Sequence, residues 1–159
     1  MTIPVIMNGE QTFFEAAADE KLLDVLRKNG NLSVKSGCVQ GSCGSCTVLL
    51  DGKPIPSCLL PVSFAHNRNI ETLEHFSKSE EYRCIIDGFE KAGICLCGFC
   101  NAGKIFAAHT ALRSNAKPTR AAIAGIIQGL PPCCTDSETL INGIIYAFDC
   151  YAQKAEVMR

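Results

Sequence analysis

The stretch Ser36–Cys58 reads SGCVQGSCGSCTVLLDGKPIPSC. Cys38, Cys43 and Cys46 form a C-x4-C-x2-C run, and Cys58 follows a short apolar hairpin pattern. The run is crowded with small residues: Gly37, Gly41, Ser42, Gly44 and Ser45. Glycine allows the φ > 0 turns that aim successive backbone N–H groups to one side. Such N–H groups line a concavity that suits an anion. The pattern therefore predicts a tight loop wrapped around something negatively charged, with thiolates as its ligands.

The C-x4-C-x2-C spacing is that of a plant-type [2Fe–2S] loop, with the fourth cysteine brought back sooner in sequence. Two irons and two bridging sulfides need four thiolates, here Cys38, Cys43, Cys46 and Cys58. Gly41 and Gly44 belong to the cluster loop because the chain must pass close to the sulfides. Two other readings compete. Structural zinc usually takes two C-x2-C-like knuckles, and only Cys43 and Cys46 form one. Buried free thiols need no spacing at all.

The run Lys35 to Val48, followed by Asp51-Gly52 and Ser57-Cys58, resembles the small iron–sulfur subunit of the molybdenum hydroxylases, the xanthine dehydrogenase and aldehyde oxidase family. The resemblance spans nearly the whole chain and is densest up to about Leu73. It implies an electron-transfer subunit of a heteromeric oxidoreductase with two [2Fe–2S] clusters. FAD and a molybdopterin centre are then expected on partner subunits only. Electrons would leave the molybdenum centre, cross the two clusters and reach the flavin.

Composition agrees with that class. The chain has 159 residues, 47% hydrophobic and 19% charged, enough for one domain or two small ones. A formal net charge of −1 gives no electrostatic reason to expect nucleic acid or an anionic membrane surface. The N-terminus, MTIPVIMNGE, lacks the basic and apolar regions of a secretory signal, and no apolar segment is long enough to span a bilayer. Eleven cysteines in clustered spacing and a cytoplasmic setting favour metal ligation over disulfides. No nucleotide-binding glycine motif and no general base in a pocket-like setting is visible, so the chain is read as doing no bond chemistry itself.

The order of elements predicts an α+β chain. Ile3–Met7 and Gln11–Ala16 read as strands around an Asn8-Gly9 hairpin turn. Asp19 stands where a helix cap belongs, and Leu22, Leu23, Val25 and Leu26 give an apolar face ending at Gly30. Val48–Leu50 and Pro54–Ser57 form a second hairpin, and Ile70–Leu73 a last strand. This first part, residues 1–76, resembles the β-grasp fold of ferredoxins. Asn67 to about Lys78 reads as a linker. Residues 77–159 then change period. Four amphipathic helices are expected: Glu80–Ala92, one starting near Asn101, one capped by Thr119 and one capped by Asp136 or Ser137. They predict a four-helix bundle.

Cys97 and Cys100 stand at the start of the second of these helices, and Cys133 and Cys134 at the start of the fourth. Both helix N-termini can turn positive dipole ends toward one anionic cluster. Here the chain departs from the family it resembles. The family pattern is Gln-Cys-Gly-x-Cys and later Cys-Arg-Cys-Thr-Gly. This chain has Leu96-Cys97-Gly98-Phe99-Cys100 and Pro132-Cys133-Cys134-Thr135-Asp136. The resemblance carries Cys97, Cys100 and Cys134 over as ligands. Proline cannot bind iron, so Cys133 is expected as the fourth, with Cys95 as the fallback. Adjacent cysteines point apart in extended chain, so a local turn is required. Loss of this cluster, with the helices surviving on their apolar faces, is the competing expectation. The family glutamine at position 96 contacts the pterin, a contact that leucine cannot make. A relay subunit of a non-pterin oxidoreductase is therefore the alternative function, and a zinc-binding scaffold a further one. Cys84 and Cys150, within helical patterns, read as packed thiols. His66, His75 and His109 are isolated and read as packing or surface residues.

Overall fold

The computed structural model describes residues Met1–Arg159. β1 (Thr2–Met7) and β2 (Glu10–Glu15) pair antiparallel, with Ile3 opposite Phe14 and Val5 opposite Thr12. The turn between them is Asn8-Gly9, with φ of 52° and 88°. The second hairpin joins β3 (Thr47–Leu50) to β4 (Lys53–Pro56) through Asp51-Gly52. β5 (Asn69–Glu71) enters between the two hairpins, parallel to β1 and antiparallel to β3. The strand order is β2-β1-β5-β3-β4. α1 (Leu22–Lys28) buries Leu22, Leu23, Val25 and Leu26 against this sheet.

Asp19 does not cap α1. The capping position is Lys21, with extended backbone and no side-chain cap. Lys21 instead bridges to Pro61, and the Leu22 N–H donates to the Leu60 carbonyl at 2.8 Å. A neighbouring segment thus satisfies a helix-start donor that sequence reasoning assigned to a side chain.

The linker expected over Asn67 to Lys78 is ordered and packed. It holds β5 and a one-turn helix, α2 (Leu73–Phe76). The last strand stops at Glu71 because Leu73 and Phe76 are drawn into the helical core. A paired Asn8 side chain fixes the junction: it accepts from the Thr72 N–H at 2.9 Å and donates to Thr72 Oγ1 at 3.1 Å.

α3 (Glu80–Lys91) starts at Ser79, whose hydroxyl accepts the Tyr82 N–H at 3.1 Å. α4 (Asn101–Leu112) is buried almost all round. α5 (Arg120–Ile127) is capped by Thr119 and α6 (Ser137–Val157) by Asp136. α3 and α6 approach backbone to backbone at Gly88. A Cβ there would lie 2.7 Å from the Gly143 carbonyl oxygen and 2.8 Å from Ala147 Cα.

Two apolar cores result. One lies between the sheet and α1, and the other joins α3 to α6. Strand β3 serves both. Val48 and Leu50 face the sheet–helix core, while Leu49, on the opposite face, is part of the helical core. One period-two strand thereby fastens the two halves. A buried polar staple adds to this. His109 of α4 meets the Glu81 carboxylate of α3 through Nδ1 at 2.5 Å and faces the Gly52 carbonyl of the β3–β4 turn through Nε2 at 3.3 Å. Arg113 donates to the other Glu81 oxygen at 2.9 Å. His109 is therefore a packing residue whose polar atoms are satisfied. No helix is long and apolar enough to cross a membrane.

Candidate metal centres

The first thiol set is built by one loop and one hairpin. Cys38 and Cys43 lie in the loop that follows α1. Cys46 directly precedes β3, and Cys58 sits in a single 3-10 turn, Ser57–Leu59, directly after β4. Hairpin register places Thr47 opposite Pro56, so Cys46 and Cys58 emerge side by side. The Ser57 hydroxyl locks that end by donating to the Cys46 carbonyl at 2.7 Å.

The loop folds as its glycines dictate. Gly41 and Gly44 have φ of 76° and 79°. Three N–H groups converge on the Cys38 sulfur: Gln40 at 3.4 Å, Ser42 at 3.3 Å and Cys43 at 3.3 Å. The Cys38 N–H in turn donates to Cys43 Sγ at 3.4 Å. Ser42's side chain and these N–H groups lower the Cys38 thiol to about 5, well into thiolate territory at neutral pH. Burial, then the neighbouring Cys46, pushes Cys58 up to about 11. A cradle of inward N–H groups, with Cys43 against Cys38 and Cys58 beside Cys46, is a donor set that fits a [2Fe–2S] cluster. Val39 also adopts φ of 52°, a position sequence reasoning did not single out. For a β-branched residue that conformation is strained, and such strain marks functional loops.

The second thiol set comes from two helix starts. Cys100 occupies the capping position of α4, and Cys97 lies in the turn before it. Cys133 and Cys134 lie between α5 and α6, just before Asp136. The structure brings Cys100 and Cys133 into contact and sets Cys134 near Cys97. Cys100 Sγ lies 2.6 Å from Cys133 Sγ. Cys134 has φ of 70°. That left-handed residue is the local turn that lets two adjacent cysteines reach one site. The backbone N–H of Phe99, then Cys134, lowers the Cys97 thiol; Cys100, then burial, raises Cys133 to about 11. Cys95 is exposed and lines a different groove, with Tyr82, Phe89 and Leu96. Pro132 is exposed. This donor set also fits a four-thiolate cluster.

Sequence reasoning missed one side chain here. Lys104, four residues after Cys100 on α4, is only 1% exposed and sets its Nζ 3.6 Å from Cys100 Sγ. A lysine inside the apolar run Ala102–Ala108 was the available signal. Cys84 and Cys150 lie elsewhere and approach each other across α3 and α6 at 2.6 Å. Burial, then Cys150, holds the Cys84 thiol up at about 12, as befits a packed thiol.

The two sets meet at one point. Gly44, between Cys43 and Cys46, packs on Gly103, three residues after Cys100. A Cβ on Gly44 would lie 2.9 Å from Gly103 Cα. Beside it, the Lys35 ammonium donates to the Gly98 carbonyl, joining the loop of the first set to that of the second.

Comparison with known proteins agrees with this geometry. A family profile described as "2Fe-2S iron-sulfur cluster binding domain" matches residues 5–73, and one described as "[2Fe-2S] binding domain" matches residues 72–145. The chain is 36% identical over 157 residues to the xanthine dehydrogenase iron-sulfur-binding subunit of Escherichia coli O157:H7, covering 97% of this chain and 96% of that one. It is 33% identical over 150 residues to the nicotinate dehydrogenase small FeS subunit of Eubacterium barkeri, covering 94% and 96%. Its fold superposes on a chain of quinoline 2-oxidoreductase from Pseudomonas putida 86 with a TM-score of 0.81, at 34% identity and 96% coverage of each chain. Both matched families are [2Fe–2S]-binding domains, which decides against the zinc reading. The chain, with its two [2Fe–2S]-binding domains, belongs to the small iron–sulfur subunits of the molybdenum hydroxylase family.

Proposed function

We propose that this chain relays electrons within a multisubunit oxidoreductase, from a molybdopterin centre on one partner subunit to FAD on another. Cys38, Cys43, Cys46 and Cys58 hold the first cluster, within residues 1–76. Cys97, Cys100, Cys133 and Cys134 hold the second, within residues 77–159, read as a four-helix bundle. The clusters supply one-electron redox chemistry; the protein supplies placement and tuning. The observation that carries the reading is the contact of Gly44 with Gly103, which sets the two cysteine loops against each other without intervening side chains. Electrons pass from the helical half to the ferredoxin-like half across that contact. The complex works in the cytoplasm, where reducing conditions keep thiols available to iron.

One observation favours the alternative, a relay for an oxidoreductase without a pterin. Leu96 is half-buried against the helical core and offers no hydrogen bond to a cofactor. Mass spectrometry of the native complex separates the two. The proposal expects one flavin-bearing and one pterin-bearing partner with this chain. A complex with flavin but no molybdopterin would transfer the reading to the alternative.

A further inference from the structure

We infer that Lys104 tunes the second cluster, donating an N–H···S hydrogen bond to Cys100 that raises this cluster's reduction potential. The inference rests on the proposed ligation by Cys97, Cys100, Cys133 and Cys134.

Lys104 is among the largest fully buried side chains of the molecule. A buried ammonium without a partner is costly. Yet Lys104 forms no ion pair with any carboxylate, and its single hydrogen bond goes to Cys100 Sγ at 3.6 Å. The i to i+4 spacing on α4 stacks the two residues on one face of the helix. Lys104 therefore points at the Cys100 sulfur, inside a run whose other members, Ala102 to Ala108, are apolar or glycine.

The two thiol sets differ in who donates to them. In the first, backbone N–H groups of Gln40, Ser42 and Cys43 reach Cys38, and the Cys38 N–H reaches Cys43. In the second, backbone N–H groups serve Cys97. Cys100 receives its nitrogen donor from Lys104 alone. Reduction adds one electron to a cluster that is already anionic, and part of that charge resides on the ligand sulfurs. A donor to sulfur and a nearby positive charge both favour the reduced state, and these are recognised determinants of cluster potential. Lys104 supplies both to one cluster and to neither ligand loop of the other. It is a positioning and tuning residue and binds no iron.

The test is an EPR-monitored redox titration of the intact complex, with iron counted per chain. The second cluster's signal is the one abolished by Cys134→Ser. In Lys104→Met, with four irons retained, the reduced-to-oxidised ratio of that signal at the wild-type midpoint should fall about tenfold, ~59 mV for a one-electron couple. The first cluster's signal should not move, and Lys104→Arg, which keeps a charged donor, should lie closer to wild type. An unchanged ratio in Lys104→Met with full iron overturns the inference. If Lys104→Met sheds the second cluster's iron, Lys104→Gln, a neutral donor, takes its place: an intermediate fall supports tuning, and no fall overturns it. Iron loss in both variants also overturns it, since Lys104 would then hold the site together instead of setting its potential. Two irons per wild-type chain is a different failure, because it removes the second cluster itself.

Discussion

At the scale of single residues, the proposal turns on Cys133. The resemblance sets Pro132, which has no donor atom, at that ligand's position, and the proposal gives the role to the neighbouring Cys133, beside which Cys134 turns through φ of 70°. Cys133→Ser should therefore strip or severely weaken the second cluster, lowering iron toward two per chain, while Cys95→Ser should leave iron content unchanged. Iron loss in Cys95→Ser instead would move the fourth ligand to that residue. The expectation of a substitute ligand comes from the sequence, because proline's inability to bind metal is a property of the residue alone. Lys104 had one sequence signal, its place inside an apolar run, and that signal does not by itself make it a participant. A lone charge on a helix reads as a solvated position, and only the burial of α4 on nearly all sides makes it an interior one. The Asp19 cap failed for a related reason. The local pattern favoured a side-chain acceptor, but the Leu60 carbonyl, distant in sequence, was already there.

Between elements, the deciding contact joins the first cysteine loop to the start of α4. Gly44 needs its φ of 79° for the turn, and the same missing Cβ lets Gly103 approach. Gly44→Val should thus do double damage. A branched residue at positive φ costs about 1–2 kcal/mol, and forcing a side chain into a packed interface adds about 1–3 kcal/mol. The expected outcome is a lower denaturation midpoint together with reduced iron at both clusters. Full iron with an unshifted midpoint would show that the loop and α4 are not in register contact. The glycine crowding made the tight loop readable from sequence, but its partner Gly103 was not, because a contact between distant segments leaves no local pattern. The same limit explains the mistaken linker. Residues 67–78 are short and polar enough to pass for a connection, yet β5 inserts between two hairpins and Leu73 and Phe76 fill the helical core. The amphipathic helices and both hairpin turns, whose signals are local, stand where their periodicity and turn residues place them.

Across the whole molecule, two metal-binding halves behave as one body because they share β3 and the Glu81–His109–Gly52 connection. Leu49 belongs to one core and its neighbours Val48 and Leu50 to the other. Each thiol set is therefore held at a fixed place relative to its counterpart, which is what a relay between two clusters requires. Ligation should in turn support folding, since neither thiol set exists preformed in an unfolded chain. Cys43→Ser should accordingly lose the first cluster and destabilise the half that carries it, read as a drop in visible absorption and in thermal midpoint; a variant with unchanged absorption would remove Cys43 from the ligand set. The most direct test of the two-cluster relay is a count of iron and acid-labile sulfide on the anaerobically purified chain, with EPR after reduction. The account predicts four irons, four sulfides and two distinct signals per chain, from the two [2Fe–2S]-binding domains. Two irons with a single signal would contradict it.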